Sequence, residues 1–318
     1  MKIIALLCVL LSAMGCAKSK SDPAALTVAL NWFPEMEHAG FYAAQVEGFF
    51  AEEGLNVTIL PGGPDVPVIA QVASGKVDFG VENADNLLFG RAAGAPVVAV
   101  FAALQTSPRC ILVHEESGIE HLKDLRNVTL AMSAKGAFSH YLKRHAALEG
   151  VTVVPYSGSV AAFLARKDYA QQGYVFSEPF VASREGAKVR ALLLADIGFN
   201  PYTSLLITSD AMRRDRPEVV AKLVHASAKG WRHYLKERAK TDALIGSLNP
   251  EMTPDVMDFG STAMAPLVTQ GLADESHIGH MTVERWTELI GQIESLDMIP
   301  KGTVRAEDVF TSEFMATK

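Results

Sequence analysis

Cysteine is nearly absent from this 318-residue chain, which holds three: Cys8, Cys16 and Cys110. The first two fall in an apolar N-terminal stretch, so Cys110 has no partner, and neither a disulfide framework nor a multi-cysteine metal site is available. Cys110 is therefore expected to be a small buried apolar residue. Basic charge is also short: 29 Lys and Arg against 36 Asp and Glu give a formal charge of −7, and no basic stripe offsets it. That balance argues against a nucleic-acid partner. The common catalytic signatures are missing too. There is no GxSxG elbow, P-loop or HExxH. His38, His114, His121, His140 and His145 are scattered, and the pair His277/His280 in "ESHIGHM" has no third ligand nearby and reads as a solvated loop. The "GGP" at 62–64 lacks the Lys or GxxG continuation of a phosphate cradle and reads as a turn. No metal and no cofactor is called for.

The longest apolar run lies at the start. In "MKIIALLCVLLSAMGCAKSKSD" the stretch Ile3–Leu11 is too short to span a bilayer as a mature helix, so residues 1–15 read as a secretory signal peptide. The segment "SAMGC" (12–16) resembles the lipobox of bacterial lipoproteins, although Ala13 stands where Leu is usual. That resemblance implies that Cys16 is the lipid-modified first residue, that 16–24 form a tether, and that the protein is exported and lipid-anchored to a bacterial membrane, in the periplasm or at the cell surface.

From about residue 25 the chain alternates short apolar strands with helix-length amphipathic segments. Strands are predicted at 26–30, 56–60, 77–81, 96–104, 110–113, 128–132, 151–154, 173–176, 189–195 and 204–210. Helices are predicted at 38–50, through "VPVIAQVAS", and at 83–93, 136–148, 159–166 and 178–186. After Pro217 the pattern is almost wholly helical, at 217–237, 239–247, 253–269 and 282–296. Such alternation implies an α/β fold with mostly parallel sheets flanked by helices. The length suggests two domains or one large one.

In open α/β sheets, ligands sit beyond the carboxyl ends of the strands. The residues there are "NWF" (31–33), "ENADN" (82–86), "QTS" (105–107), "SAKGAF" (133–138), "SEP" (177–179) and "GFNPY" (198–202). They supply amides, hydroxyls, carboxylates and rings, with Lys135 the only cation among them. Such a set suits an uncharged or mildly basic flat heterocycle better than an anion.

The runs "LNWFPEMEHAGFYAAQVEGFFAEEGLNV", "VASGKVDFGVENADNLLFGRAAGAPVVAV" and "QQGYVFSEPFVASREGA" resemble the periplasmic binding proteins that deliver thiamine's pyrimidine precursor to ABC importers. The same superfamily holds binding proteins for riboflavin, sulfonates and nitrate, and the fungal thiamine-pyrimidine synthases. The likeness covers 26 to about 235. It implies a two-lobed periplasmic-binding-protein fold of type II, with a ligand cleft between the lobes and a helical C-terminal region. Lobe one would be 25–106 plus 205–318 and lobe two 107–204, with crossings near "LQTSP" and "NPYTS". In the synthases, a Lys that holds pyridoxal phosphate and a His consumed as substrate occupy positions that here read Glu82 and Asn86, and their Cys-rich segment matches "GFNPYTS". Without the amine there is no Schiff base, so the resemblance implies a binder and no enzyme.

Within that reading, Trp32 falls where the family places a ring that stacks on ligand; the alternative is a core Trp. Asn31 would offer an amide. His38 and Tyr42, four apart on one helix face, would point at the cleft, unless His38 merely begins the helix. Glu178 would accept paired hydrogen bonds from an aminopyrimidine, or else cap the helix that Pro179 starts. Glu82, Asp85, Asn83 and Asn86 are further candidates, and Ser107, Ser133, Asn200 and Tyr202 complete a rim. The partners implied are a small heterocyclic ligand and a membrane ABC permease, with the protein itself a monomer. Riboflavin or another flat heterocycle is the second ligand class, and a sulfonate or nitrate the third. A synthase-like enzyme stands last.

Overall fold

A computed structural model describes residues 24–64 and 66–315. The stretch read as a signal peptide and the expected lipidation residue Cys16 lie outside the described residues. The chain forms two five-stranded sheets. The first contains β1 (Ala24–Ala29), β2 (Leu55–Leu60), β3 (Phe79–Glu82), β4 (Val97–Leu104) and, from much later in the chain, β10 (Thr203–Ser209). The second contains β5 (Arg109–His114), β6 (Thr129–Ala131), β7 (Thr152–Val154), β8 (Tyr169–Tyr174) and β9 (Val189–Leu193). Their orders are β2-β1-β3-β10-β4 and β7-β6-β8-β5-β9, so the two sheets follow one plan. In each, the fourth strand in that order runs antiparallel to its neighbours, and it is the strand delivered by a crossing from the other sheet: β10 in the first, β5 in the second.

Hydrophobic patterning explains the strand roles. β4 is buried at every position and lies along the first sheet as an apolar run, whereas β2, at an edge, alternates buried and exposed residues. The strand expected at 173–176 is displaced: β8 covers Tyr169–Tyr174, and Val175–Ser177 turn instead, with Ser177 N donating to Tyr174 O at 2.9 Å. Gln171 and Gln172 are polar yet buried in this strand, which hid it from a reading by apolar runs. The single helix expected at 38–50 is divided into α1 (Ala39–Val46) and α2 (Phe49–Glu52) by Gly48, whose φ of 78° lies in the left-handed region that glycine tolerates.

Helices α3 (Val68–Ala73) and α4 (Ala84–Ala92) flank the first sheet, and α5 (Ala137–His145), α6 (Ala161–Ala165) and α7 (Glu178–Arg184) flank the second. After α8 (Asp210–Asp215), the chain continues through α9 (Pro217–Tyr234), α10 (Ala239–Leu248), α11 (Pro254–Thr269), α12 (Val283–Ser295) and α13 (Ala306–Val309), which pack back on the first lobe. Pro217 and Pro254 open their helices, where a missing N–H costs nothing. Cys110 is fully buried with Leu112, Ala131 and Phe163 on one face of the second sheet, as expected of a small apolar residue. No described helix is long and apolar enough to cross a membrane.

The lobes are closed on one another. Residues 105–108 and 194–202 make the two crossings between sheets. Beside them α7 of the second lobe docks on α11: Phe180 stacks on Phe259 at 4.9 Å, Arg184 reaches Asp255 at 3.4 Å, and Phe176 is buried in the core of the first lobe.

The first lobe depends on a close helix pair. A Cβ on Gly230 of α9 would lie 2.1 Å from the Gly40 carbonyl oxygen of α1, and a Cβ on Gly40 would lie 2.1 Å from the Trp231 ring. Neither backbone can retreat without moving the buried Trp231 and Phe41, which meet edge to face at 6.0 Å. Gly230→Ala should therefore destabilise the protein by about 3 kcal/mol, read as a lower urea midpoint at unchanged m-value. An unchanged midpoint would mean that the helices are looser than this packing.

Candidate functional site

Because β5 and β10 run against their sheets, their first residues lie at the same edge as the last residues of the parallel strands. The interlobe cleft is therefore lined from the first lobe by the loop after β1, by Glu82 and Asn83 ending β3, and by Ser204 near the start of β10. The second lobe contributes Arg109 opening β5, Ser133 after β6, Tyr174 ending β8 and Glu178 opening α7. Asn83 bridges the lobes: its Nδ2 donates to the Tyr174 hydroxyl at 3.3 Å while its Oδ1 accepts from Ser204 N at 3.4 Å. Ser204 is held in the left-handed region at φ 53°, a strained conformation for a non-glycine residue that is often kept at functional sites. Ser107 N donates to Asn200 Oδ1 at 2.8 Å, tying one crossing to the other.

The cleft is rich in acid. Glu37, Asp85 and Glu178 lie in the field of a single guanidinium, that of Arg109, with Glu35 beside Glu37 and Glu178 and Glu82 beside Asp85. Burial raises the Glu35 carboxyl well above the ordinary range, with Glu37 and Glu178 adding to the effect. Burial likewise brings Glu37 up to about 7 against the opposing pull of Arg109 and the Ser204 hydroxyl. Glu82 also reaches about 7 through burial, although Asn86 Nδ2 and Asn83 N both donate to its Oε1 at 2.9 Å. Asp85 is raised by burial too, with Arg109 opposing. His38 Nε2 lies 3.3 Å from Glu37 Oε1 and 3.0 Å from Asn31 Oδ1. The first distance suits an ion pair, but burial lowers the His38 pKa to about 3. The ring is therefore neutral, and its Nε2 is bonded to Asn31 Oδ1 rather than paired with Glu37.

The other expected residues divide into those at the cleft and those elsewhere. Trp32 is 40% exposed on the loop after β1 and meets Phe33 edge to face at 5.5 Å, so it is not a core tryptophan. Tyr42 is not brought to the carboxylates. It is buried in the first-lobe core, its hydroxyl has no partner among the described residues, and burial alone raises its pKa. Tyr202 also turns away: its hydroxyl accepts from Thr282 N at 3.1 Å, and its ring lies 3.8 Å from the Arg285 guanidinium, against α12. Asn86 is exposed and serves Glu82. Ser133, half-buried, donates its N–H to Gln172 Oε1 at 2.6 Å. Glu178 does not cap α7 by a hydrogen bond: its Oε1 accepts from the Tyr156 hydroxyl at 2.9 Å and its Oε2 from Tyr174 N at 2.7 Å. These two donors fix the carboxylate and leave a lone pair on each oxygen.

Sequence reasoning missed Arg109, Glu35, Glu37, Tyr156 and Tyr174. The signal for Arg109 was present. It begins the strand that follows a crossing, and an antiparallel strand brings its first residue, not its last, to the cleft.

Two α/β lobes of this strand order, joined by two crossings around a central cleft, define the periplasmic-binding-protein fold. The chain belongs to the NMT1/THI5-like family, whose model matches residues 35–240. It is 25% identical over 325 residues to the formylaminopyrimidine-binding protein of Halalkalibacterium halodurans, with 98% of each chain covered. It is 24% identical over 303 residues to the riboflavin-binding protein RibY of Chloroflexus aurantiacus, covering 91% of this chain and 86% of that one. The periplasmic aliphatic sulphonate binding protein SsuA of Escherichia coli superposes with a TM-score of 0.70 at 17% identity, over 90% of this chain and 91% of that one. This last likeness is one of fold.

The raised carboxyls make stability depend on pH. With its folded pKa near 7 against an ordinary 4.5, Glu82 keeps a proton that the unfolded chain gives up, so its contribution falls as pH rises through that window. Glu37 acts in the same direction, while His38 acts oppositely, costing stability as pH falls from 6.5 toward 3. Glu82→Gln isolates one share. Its unfolding free energy relative to wild type should improve by on the order of 3 kcal/mol between about pH 5 and about pH 8. A difference that does not change with pH would contradict the buried protonated carboxyl.

Proposed function

We propose that this protein is the extracytoplasmic, lipid-anchored solute-binding component of an ABC importer, and that it carries a thiamine-related aminopyrimidine of the formylaminopyrimidine or hydroxymethylpyrimidine type without changing it. The observation that carries this reading is the set of carboxyl groups enclosed between the lobes with one guanidinium among them. An enclosed anion would either meet ionised carboxylates at close range in a poorly screened site or require all of them to stay protonated, which weighs against a sulfonate or nitrate. A ring bearing an amine and a basic nitrogen supplies the donors such groups accept, and charge-assisted pairs of this kind are strong and orientation-specific. Glu178, steadied by Tyr156 and Tyr174, is the carboxylate we assign to the paired bonds. Trp32, half-exposed at the end of β1, is the ring available for stacking. The likeness to a formylaminopyrimidine-binding protein along nearly its whole length supports the same choice.

A riboflavin ligand is the second reading, supported by the likeness to RibY, because a stacking wall discriminates poorly between ring systems. Catalysis of the synthase type is not supported by the site: where the resemblance would place the pyridoxal-holding amine, Glu82 is bonded to Asn86 instead. Transport needs only that ligand favour the closed form and that the permease bind that form better than the open one.

Calorimetry of residues 24–318 against formylaminopyrimidine, hydroxymethylpyrimidine, riboflavin and taurine tests the reading. One of the pyrimidines should bind most tightly and taurine should give no heat. Taurine or riboflavin binding ahead of both pyrimidines would overturn it. In the same assay Glu178→Gln should weaken pyrimidine binding by about 2 kcal/mol, whereas Tyr156→Phe should cost less. An unchanged affinity in Glu178→Gln would leave Glu178 only as an anchor for the end of β8.

A further inference from the structure

Arg109 is a half-buried cation held by aromatic rings. Its guanidinium carbon lies 4.2 Å from the centroid of Tyr174 and 4.9 Å from that of Phe138, so the group is clasped by two rings. Among the described residues no acceptor bonds its side chain; the hydrogen bond Arg109 does donate comes from its backbone N–H, to Ser107 Oγ at 3.4 Å. Arg91 and Arg285 differ. Arg91 bonds Asp210 at 2.7 Å and Val97 O at 3.2 Å, and Arg285, also over a tyrosine ring, bonds Asn200 O at 2.9 Å. Asp85, Glu37 and Glu178 are near enough to feel the Arg109 charge, yet none is at ion-pair distance. The guanidinium thus faces the carboxyl groups across a gap, with a planar set of N–H donors aimed by its aromatic clasp and left unmatched.

We propose that Arg109 is the specificity-determining residue of the cleft, and that it recognises a neutral oxygen acceptor, of the formyl or amide kind, on the substituent that the ligand's ring carries. This inference rests on the aminopyrimidine reading and refines it. The ligand would lie across the gap with its nitrogen edge toward the carboxyl groups and its oxygen toward the guanidinium. A guanidinium presents paired N–H groups that match a carbonyl or carboxylate plane, which an ammonium does not. The other role open to Arg109 is simply to offset nearby negative charge, and a lysine would do that equally well.

The test is a comparison of two ligands that share a ring. Calorimetry would measure formylaminopyrimidine and 4-amino-2,5-dimethylpyrimidine, which lacks the oxygen, against wild type, Arg109→Lys and Arg109→Met, with circular dichroism checking that each variant is folded. Wild type should prefer the formylated ligand at least tenfold. Both variants should lose that preference, with the dimethyl ligand changing less than threefold. Arg109→Lys retaining the preference would reduce Arg109 to a charge and overturn the assignment, as would an equal loss for both ligands. Equal binding of the two ligands by wild type would remove the Arg109 assignment while leaving the pyrimidine reading intact. Binding of neither would defeat the pyrimidine reading, and the assignment with it.

Discussion

Closing one α/β lobe on another removes water from the side chains beyond the strand ends, and in this chain Glu35, Glu37, Glu82, Asp85 and Glu178 are among them. Glu35, Glu37 and Glu82 are almost wholly enclosed, and an isolated ionised carboxylate is too costly to bury. The groups respond by holding protons and by accepting hydrogen bonds from Asn83, Asn86 and Ser204, and Glu37 by lying in the field of Arg109. The closed form is thus maintained against an electrostatic cost, and a ligand that brings its own donors to the cleft reduces it. That difference between the occupied and empty closed forms is what a transport receptor requires.

The frame that imposes this closeness is stiff where it must be. The two crossings are tied to each other by Ser107 and Asn200, and the second is tied to α12 by Arg285 and Gln292, which bond the carbonyls of Asn200 and Gly198 at 2.9 Å. Alongside them α7 rests on α11 through Phe180 and Phe259. Tyr202, expected at the rim, belongs to this framework: its ring is tilted against Trp286 at 5.9 Å and its hydroxyl fixes the start of α12. The long helical C-terminal region therefore serves as the base against which the second lobe and both crossings are set.

Much of this could be read from the residues alone, and the exceptions have physical causes. Every strand was legible where apolar residues run together, and β8 was displaced because its buried glutamines imitate a loop. Trp32, Glu82, Asn83 and Glu178 could be nominated because parallel strands deliver their last residues, and the loops after them, to one edge. Arg109 escaped the same rule because β5 enters its sheet antiparallel, so that its first residue meets the cleft. Tyr42 went the other way. Helical spacing put it on the face of His38, but periodicity does not distinguish a face turned to a cleft from one turned to a core, and Tyr42 is enclosed among core residues. Glu35 and Glu37 drew no notice, since burial of a charge depends on the second lobe, which no local pattern reports.

The enclosed acid cluster as a receptor for a nitrogenous ring is tested most directly by a crystal structure grown with formylaminopyrimidine. The ring should lie between the lobes, with its amine or a ring nitrogen at hydrogen-bond distance from a carboxyl of the cluster and Asn83 still bridging to Tyr174. A ring bound outside the cleft, or a cleft opened so that Glu37 and Glu82 stand in bulk water beside the ligand, would contradict it.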